Sequence, residues 1–218
     1  ATVIAYSTDN GINKYGEIKS VTDRNGNIII YDRDSSGNIL KATNPDDSYN
    51  SYSYDAKNNM NSERDETGRY TYYIYDSTNT YLLKTIQPLN GTDGYTGTAD
   101  QNKFAITSYT YYQKGENGYS AKGLIKSVTD PEGNTVTNTY DSYGNVKTVT
   151  DSILNRTSYT CNSIGFRIST LSPKGELTRH TYDNNGNPLT TIQAGGETAC
   201  IIYDDLGRKI QEISPNIY

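Results

Sequence analysis

The chain has 218 residues, with 20 Lys and Arg against 25 Asp and Glu, a net charge of −5 and an isoelectric point near 4.9. The acidic balance and the lack of a basic block argue against a nucleic-acid binder, which displaces counterions with clustered Lys and Arg. The longest apolar run, Ile28-Ile29-Ile30-Tyr31, falls far short of the roughly 20 residues of a membrane-spanning helix.

Hydrophobic residues make up 33% and mean hydropathy is −0.78, values that by themselves lean toward disorder. Against that stand 22 Tyr and a Thr-, Ser-, Asn- and Gly-rich background that recurs at fixed intervals. Such a composition reads as strands and tight turns, and Leu, Ala, Met and Glu are too sparse for long helices.

From the N-terminus, Tyr6 to Gly16 reads as a strand end and an expanded turn. Ile18 and Val21 then mark a returning strand, which closes at Asp23-Arg24-Asn25-Gly26-Asn27. Tyr31-Asp32 comes next, with Gly37 after two extra residues, and Ile39 and Ala42 lie on the way back. Tyr54-Asp55 and Tyr75-Asp76 stand 21 residues apart, with Asn58 and Asn79 where other units have Gly; Asn also tolerates left-handed backbone. Tyr81 to Gln87 is a returning strand, 88–102 an expanded loop, Lys103 to Tyr112 a Tyr-bearing strand and 113–123 a second expanded loop.

The second half keeps time more strictly. Tyr140-Asp141 with Gly144, Tyr182-Asp183 with Gly186 and Tyr203-Asp204 with Gly207 fall on a 21-residue period. The missing beat is Cys161-Asn162 with Gly165, where Cys replaces Tyr and Asn replaces Asp. Between them runs a second turn series, Asp130-Pro131-Glu132-Gly133-Asn134, Asp151 to Asn155, Ser172 to Gly175 and Gln193 to Gly196. Ile18-Lys19-Ser20-Val21-Thr22-Asp23 recurs as Ile125-Lys126-Ser127-Val128-Thr129-Asp130.

Each unit therefore reads as a β-hairpin of two short strands. The Asp accepts hydrogen bonds from its own turn, and Gly or Asn supplies the positive φ that closes it. Val136 and Asn138 share a face with Tyr140, and Thr139 faces the other way. Apolar pairs three apart in the returning strands, such as Val146 and Val149, require either two covered faces or a bulge. Nine units at Tyr6, Tyr31, Tyr54, Tyr75, Tyr112, Tyr140, Cys161, Tyr182 and Tyr203 give 18 strands. Strands in that number span roughly 85 Å, and open twisted sheets of more than about 10 strands curl or split. The expected fold is all-β, an antiparallel hairpin array over 1–218 that coils into a β-spiral or partial hollow shell. With no polar cap at either end, the array reads as cut from a longer one.

Tyr-Asp-x-x-Gly at 21-residue spacing, interleaved with Thr-Asp-Pro-x-Gly-Asn turns, resembles the YD repeats of the Rhs family. Similar repeats occur in the shells of insecticidal toxin complexes and of teneurins. The resemblance covers nearly the whole chain. It implies a non-enzymatic wall segment of a bacterial, secreted or cell-surface protein, whose partners are adjacent repeats and an enclosed C-terminal toxin or cargo domain. The repeat-defining positions are Tyr31, Asp32, Tyr54, Asp55, Tyr75, Asp76, Tyr140, Asp141, Gly144, Cys161, Asn162, Gly165, Tyr182, Asp183, Gly186, Tyr203, Asp204 and Gly207.

Other chemistry is thinly represented. His180, the one histidine, has no nucleophile motif around it. Asp32-Arg33-Asp34-Ser35-Ser36-Gly37 opens like a calcium loop, but its twelfth position is Thr43 rather than the bidentate Glu. The Asp residues come one per hairpin, which suits turn capping rather than paired acid–base work. No cofactor is expected. Tyr rings could stack on sugars, so an extracellular carbohydrate- or receptor-binding array is the alternative reading. Cys161 and Cys200, about four strands apart, are too distant for a disulfide and are expected as free thiols. Exposed end strands favour edge-to-edge self-association.

Overall fold

A computed structural model describes residues 2–6, 16–91, 94–97, 100–113, 115–116 and 123–214. The expanded turn expected after Tyr6, parts of the loops at 88–102 and 113–123, and the last four residues lie outside these. Contacts divide the chain into two units, Ala1–Tyr109 and Thr110–Tyr218.

The first unit is an antiparallel meander. It runs β1 (Val3–Tyr6), β2 (Ile18–Thr22), β3 (Ile28–Arg33), β4 (Ile39–Thr43), β5 (Tyr49–Tyr54), β6 (Met60–Arg64), β7 (Tyr70–Tyr75), β8 (Leu82–Pro88) and β9 (Phe104–Tyr111), whose last two residues fall in the second unit. Each strand pairs with the next. The second unit repeats the plan with β10 (Ile125–Thr129), β11 (Thr135–Tyr140), β12 (Val146–Thr150), β13 (Arg156–Cys161), β14 (Arg167–Leu171), β15 (Leu177–Tyr182), β16 (Pro188–Ile192), β17 (Thr198–Tyr203) and β18 (Lys209–Ile213). The chain is thus all-β, with 18 antiparallel strands among the described residues.

One reading of the sequence is corrected. Tyr31-Asp32 does not open a turn with two extra residues: β3 runs through both to Arg33, and the turn starts at Asp34. Arg33, Tyr54 and Tyr75 are then evenly spaced by 21, so Arg33 holds the tyrosine position and Asp34 the aspartate position. The dipeptide misleads because Tyr31 is an interior strand residue on the same face, two places early.

At the end of every Tyr-position strand the register slips by one. Thr139 pairs with Thr148 but Tyr140 with Val146, leaving Lys147 as the extra residue. The same bulge occurs at Arg33, Tyr54, Tyr75, Cys161, Tyr182 and Tyr203. It answers the three-residue spacing of the apolar pairs. Val146 faces Tyr140 and Val149 faces Asn138, so one extra residue brings both onto the tyrosine face.

Little is fully buried. Among the described residues the core comprises Ile86, Phe104 and Tyr112, with Thr148 the one buried polar residue. Ile86 sits between Tyr72 and Ile106 on the face away from the tyrosine positions. Tyr95, from the loop after β8, lies 5.7 Å from the Tyr72 ring and 6.0 Å from Phe104, which gives this stretch its cover. Elsewhere cohesion comes from strand pairing and half-buried side chains, as befits a chain so poor in aliphatic residues.

Candidate functional site: the tyrosine–aspartate joint

Two devices repeat along the array. The first is the turn. In the hairpin after β11, Asp141 N–H donates to Asn145 C=O at 2.9 Å and Gly144 N–H to Asp141 C=O at 3.1 Å, with Gly144 at φ +87°. This is a type I turn closed by a left-handed residue, a common short hairpin loop. One Asp141 carboxylate oxygen accepts the N–H groups of Tyr143 and Asn145, both at 2.9 Å, and the other accepts the Asn145 side-chain amide at 3.0 Å. Asp23, Asp34, Asp55, Asp130, Asp151 and Asp183 each take a side-chain amide from the Asn four residues on in the same way. The Asn145 amide, ahead of its backbone N–H, holds the Asp141 carboxyl below its ordinary value despite some burial.

The fourth residue after the turn opener varies. Asp204 has Arg208 there, Nε donating at 2.7 Å, whereas Ser172 has Glu176 and Asn162 has Phe166. Asn162 still accepts the backbone N–H groups of Ile164 and Phe166, so the substitution read at the missing beat keeps the turn. Sequence reasoning found the aspartates but missed this partner, whose signal was the recurrent Asn one place after Gly. Asn58 and Asn79 carry the positive φ where Gly is absent, as does Leu154 at +68°.

The second device ties neighbouring hairpins together. The hydroxyls of Tyr75, Tyr140 and Tyr182 donate to the carbonyls of Met60, Ile125 and Arg167, at 3.0, 2.8 and 2.9 Å. Each acceptor lies 15 residues back, at the start of the preceding returning strand or, for Ile125, of β10. Arg33 does the same with Nε, which donates to Ile18 C=O at 3.3 Å, while a terminal nitrogen donates to Gly37 C=O at 2.8 Å. Tyr54 and Tyr203 occupy the same bulge position. Burial, and then the charge of nearby Tyr52, push the Tyr54 phenol up. Cys161 takes the position with a thiol, and both Cys161 and Cys200 are free.

The turns of the tyrosine–aspartate series also touch along their edge. The residue after Gly in one turn rests on the left-handed residue of the turn 20 residues later. The Asn38 amide donates to Asn58 at 2.9 Å, and the Asn59 amide to Asn79 C=O at 2.8 Å. At Gly186 (φ +88°) an added Cβ would stand 2.4 Å from the Phe166 ring, which itself packs 5.1 Å from the Tyr182 ring. Glycine is needed there twice over, for its backbone and for its missing side chain.

The remaining candidates separate. Asp32 lies on β3 opposite Lys41, while the Asp34 carboxylate serves its own turn. Among the described residues no three His, Cys, Asp or Glu side chains gather as a metal site. His180 pairs across the sheet with Thr191, its Nδ1 3.1 Å from the threonine hydroxyl. Tyr112, 2% exposed, donates to Asn138 C=O at 3.0 Å, and its ring meets Tyr140 edge-on at 6.0 Å. Tyr75, Tyr112, Tyr140 and Tyr182 thus spend their hydroxyls on neighbouring carbonyls, while Tyr143 is exposed.

Fold and joint together define a β-hairpin repeat protein whose units are stapled by a strand-end aromatic or arginine. Residues 119–152 match the RHS Repeat family. No curated protein matches the chain. Among solved structures, the Photorhabdus luminescens Tc holotoxin pore carrying a TccC3 variant is similar at TM-score 0.58 and 15% identity, over 98% of this chain and 14% of that one. The complex TcdB2-TccC3-Cdc42 is similar at 0.57 and 13%, over 91% and 12%. TcdB2-TccC3 without its hypervariable C-terminal region is similar at 0.56 and 14%, again over 91% and 12%. The chain spans about an eighth of the length of these structures, and the likeness is one of fold. Residues 119–152 thus carry a repeat of the RHS type, and the same 21-residue pattern runs through the hairpins on either side.

Proposed function

We propose that the chain is a non-enzymatic wall segment, one array over 1–218 within a longer bacterial, secreted or cell-surface protein, and that the full-length wall encloses a C-terminal toxin or cargo domain. The observation that supports this reading most is the joint. Hydrogen bonds from Arg33, Tyr75, Tyr140 and Tyr182 to the carbonyl 15 residues back stitch a hairpin to its predecessor, so the sheet is built to extend rather than to close around a core. The fold shared with the Tc structures supports it further. Carbohydrate stacking gains no support from the joint, where the hydroxyls of Tyr75, Tyr140 and Tyr182 are committed to backbone carbonyls.

The test is protease protection of the C-terminal domain in the full-length protein. Protection that is lost when the wall is opened by a protease site engineered into 113–123 is the expected result. Digestion of that domain at the rate of the isolated domain, with the wall intact, overturns the reading.

A further inference from the structure

Each unit has a face that the joint does not use. In the first unit its strand residues include the cations Lys41, Arg64 and Lys84 and a single carboxylate, Asp32, although the whole chain is acidic. In the second unit the corresponding face carries Arg156 and Arg179 and no carboxylate. The acidic excess sits instead in the turns, at Asp23, Asp34, Asp46, Asp55, Asp65 and Asp76 of the first unit.

Lys41, Ser51 and Arg64 form one cross-strand rung over β4, β5 and β6. Lys41 Nζ lies 4.4 Å and the Arg64 guanidinium carbon 4.8 Å from the centroid of the Tyr49 ring. Both side chains are half-buried, and among the described residues neither makes an ion pair. Asp32 stands directly opposite Lys41 in register, yet the ammonium lies over the ring rather than on that carboxylate. Two like charges thus share one ring: the π-face offsets part of their desolvation, and a carboxylate would complete it through charge-assisted hydrogen bonds.

We propose that this rung, Lys41–Ser51–Arg64 over Tyr49, is a docking surface for an extended acidic polypeptide segment. The strands are five or six residues long, so the face that carries the rung is about 20 Å wide between its two rows of turns, which hold the aspartates. A nucleic-acid duplex or an anionic membrane would press its charge against those borders. A single extended chain lies between them and presents its carboxylates inward. The surface is a property of this unit and stands apart from what the wall encloses.

The test uses fluorescence anisotropy of labelled peptides at low salt. An alternating Glu–Ser peptide is expected to bind more tightly than its Gln–Ser counterpart, with an affinity that falls as salt rises. Lys41→Gln with Arg64→Gln is expected to weaken it about tenfold, while Arg24→Gln, in an exposed turn, leaves it unchanged. Equal binding of the Glu–Ser and Gln–Ser peptides to the unaltered protein overturns the proposal without recourse to any variant. Duplex DNA or phosphatidylserine vesicles binding as tightly as the Glu–Ser peptide overturns the assignment of the partner.

Discussion

At the residue scale, the turn aspartates make the fold sensitive to acid. Asp34, Asp130, Asp141, Asp151 and Asp183 are held below the ordinary value of 3.8 chiefly by the side-chain amide of the Asn four residues on. A carboxyl that ionises more readily folded than unfolded stabilises the fold fully above its unfolded value, and that contribution drains away as pH falls through the lowered folded value. The urea midpoint is therefore expected to be flat between about pH 7 and pH 5 and to drop below about pH 4, a drop lessened in Asp141→Asn combined with Asp183→Asn. Glycine supplies a second residue-scale outcome. Gly175 has φ +85° and open space beyond, so Gly175→Ala costs about 1–2 kcal/mol for left-handed backbone alone. Gly186→Ala pays that and must also move Phe166, so its midpoint in urea falls further.

At the scale of the element, the joint behaves as a bond with exchangeable donors. Tyr182→Phe removes only the hydroxyl and is expected to cost about 0.5–1.5 kcal/mol in chemical denaturation, with the sheet's circular dichroism unchanged. Arg33 is the informative variant of the position. Its Nε lies 3.8 Å from Glu17 Oε2, an oxygen that is buried without a hydrogen bond. Glu17 occupies the place that Asn38, Asn145 and Phe166 hold against the next turn. Arg33→Tyr alone therefore strands Glu17 and destabilises the protein, whereas Arg33→Tyr with Glu17→Asn recovers most of the loss. A double-mutant cycle with additive effects would refute this coupling.

That position also shows how far the sequence could be read. Hairpins, turn positions and the alternation of Thr139 against Tyr140 follow from local rules, because Gly, Asn and Asp act on backbone within four residues. The joint was not legible, since its acceptor is a main-chain carbonyl 15 residues away with no side-chain signature. Looking for a Tyr-Asp pair then favoured Tyr31, while the 21-residue count, the better guide, pointed to Arg33. The bulge was legible only as an ambiguity in the Val146 and Val149 spacing, which register resolved.

At the scale of the whole molecule, stability is spread thin. With Ile86 among so few fully buried residues, its truncation is the severe core lesion available. Ile86→Ala is expected to cost about 2–5 kcal/mol by urea denaturation, and Ile202→Ala, 41% exposed, under about 1 kcal/mol. Comparable losses from both would mean that a central core exists after all.

On the tyrosine edge, the contact from the residue after Gly to the next turn recurs at an offset of 20 residues and the joint at 15, both within one 21-residue period. Excision of residues 55–75 leaves Arg33 and the strands after it with partners of the same kind, whereas excision of ten residues would bring a turn of the other series to the tyrosine edge. Genetic change by slippage or unequal crossing-over between copies is therefore tolerated only in whole periods. A lineage can lengthen or shorten this polypeptide in discrete steps without inventing a new contact.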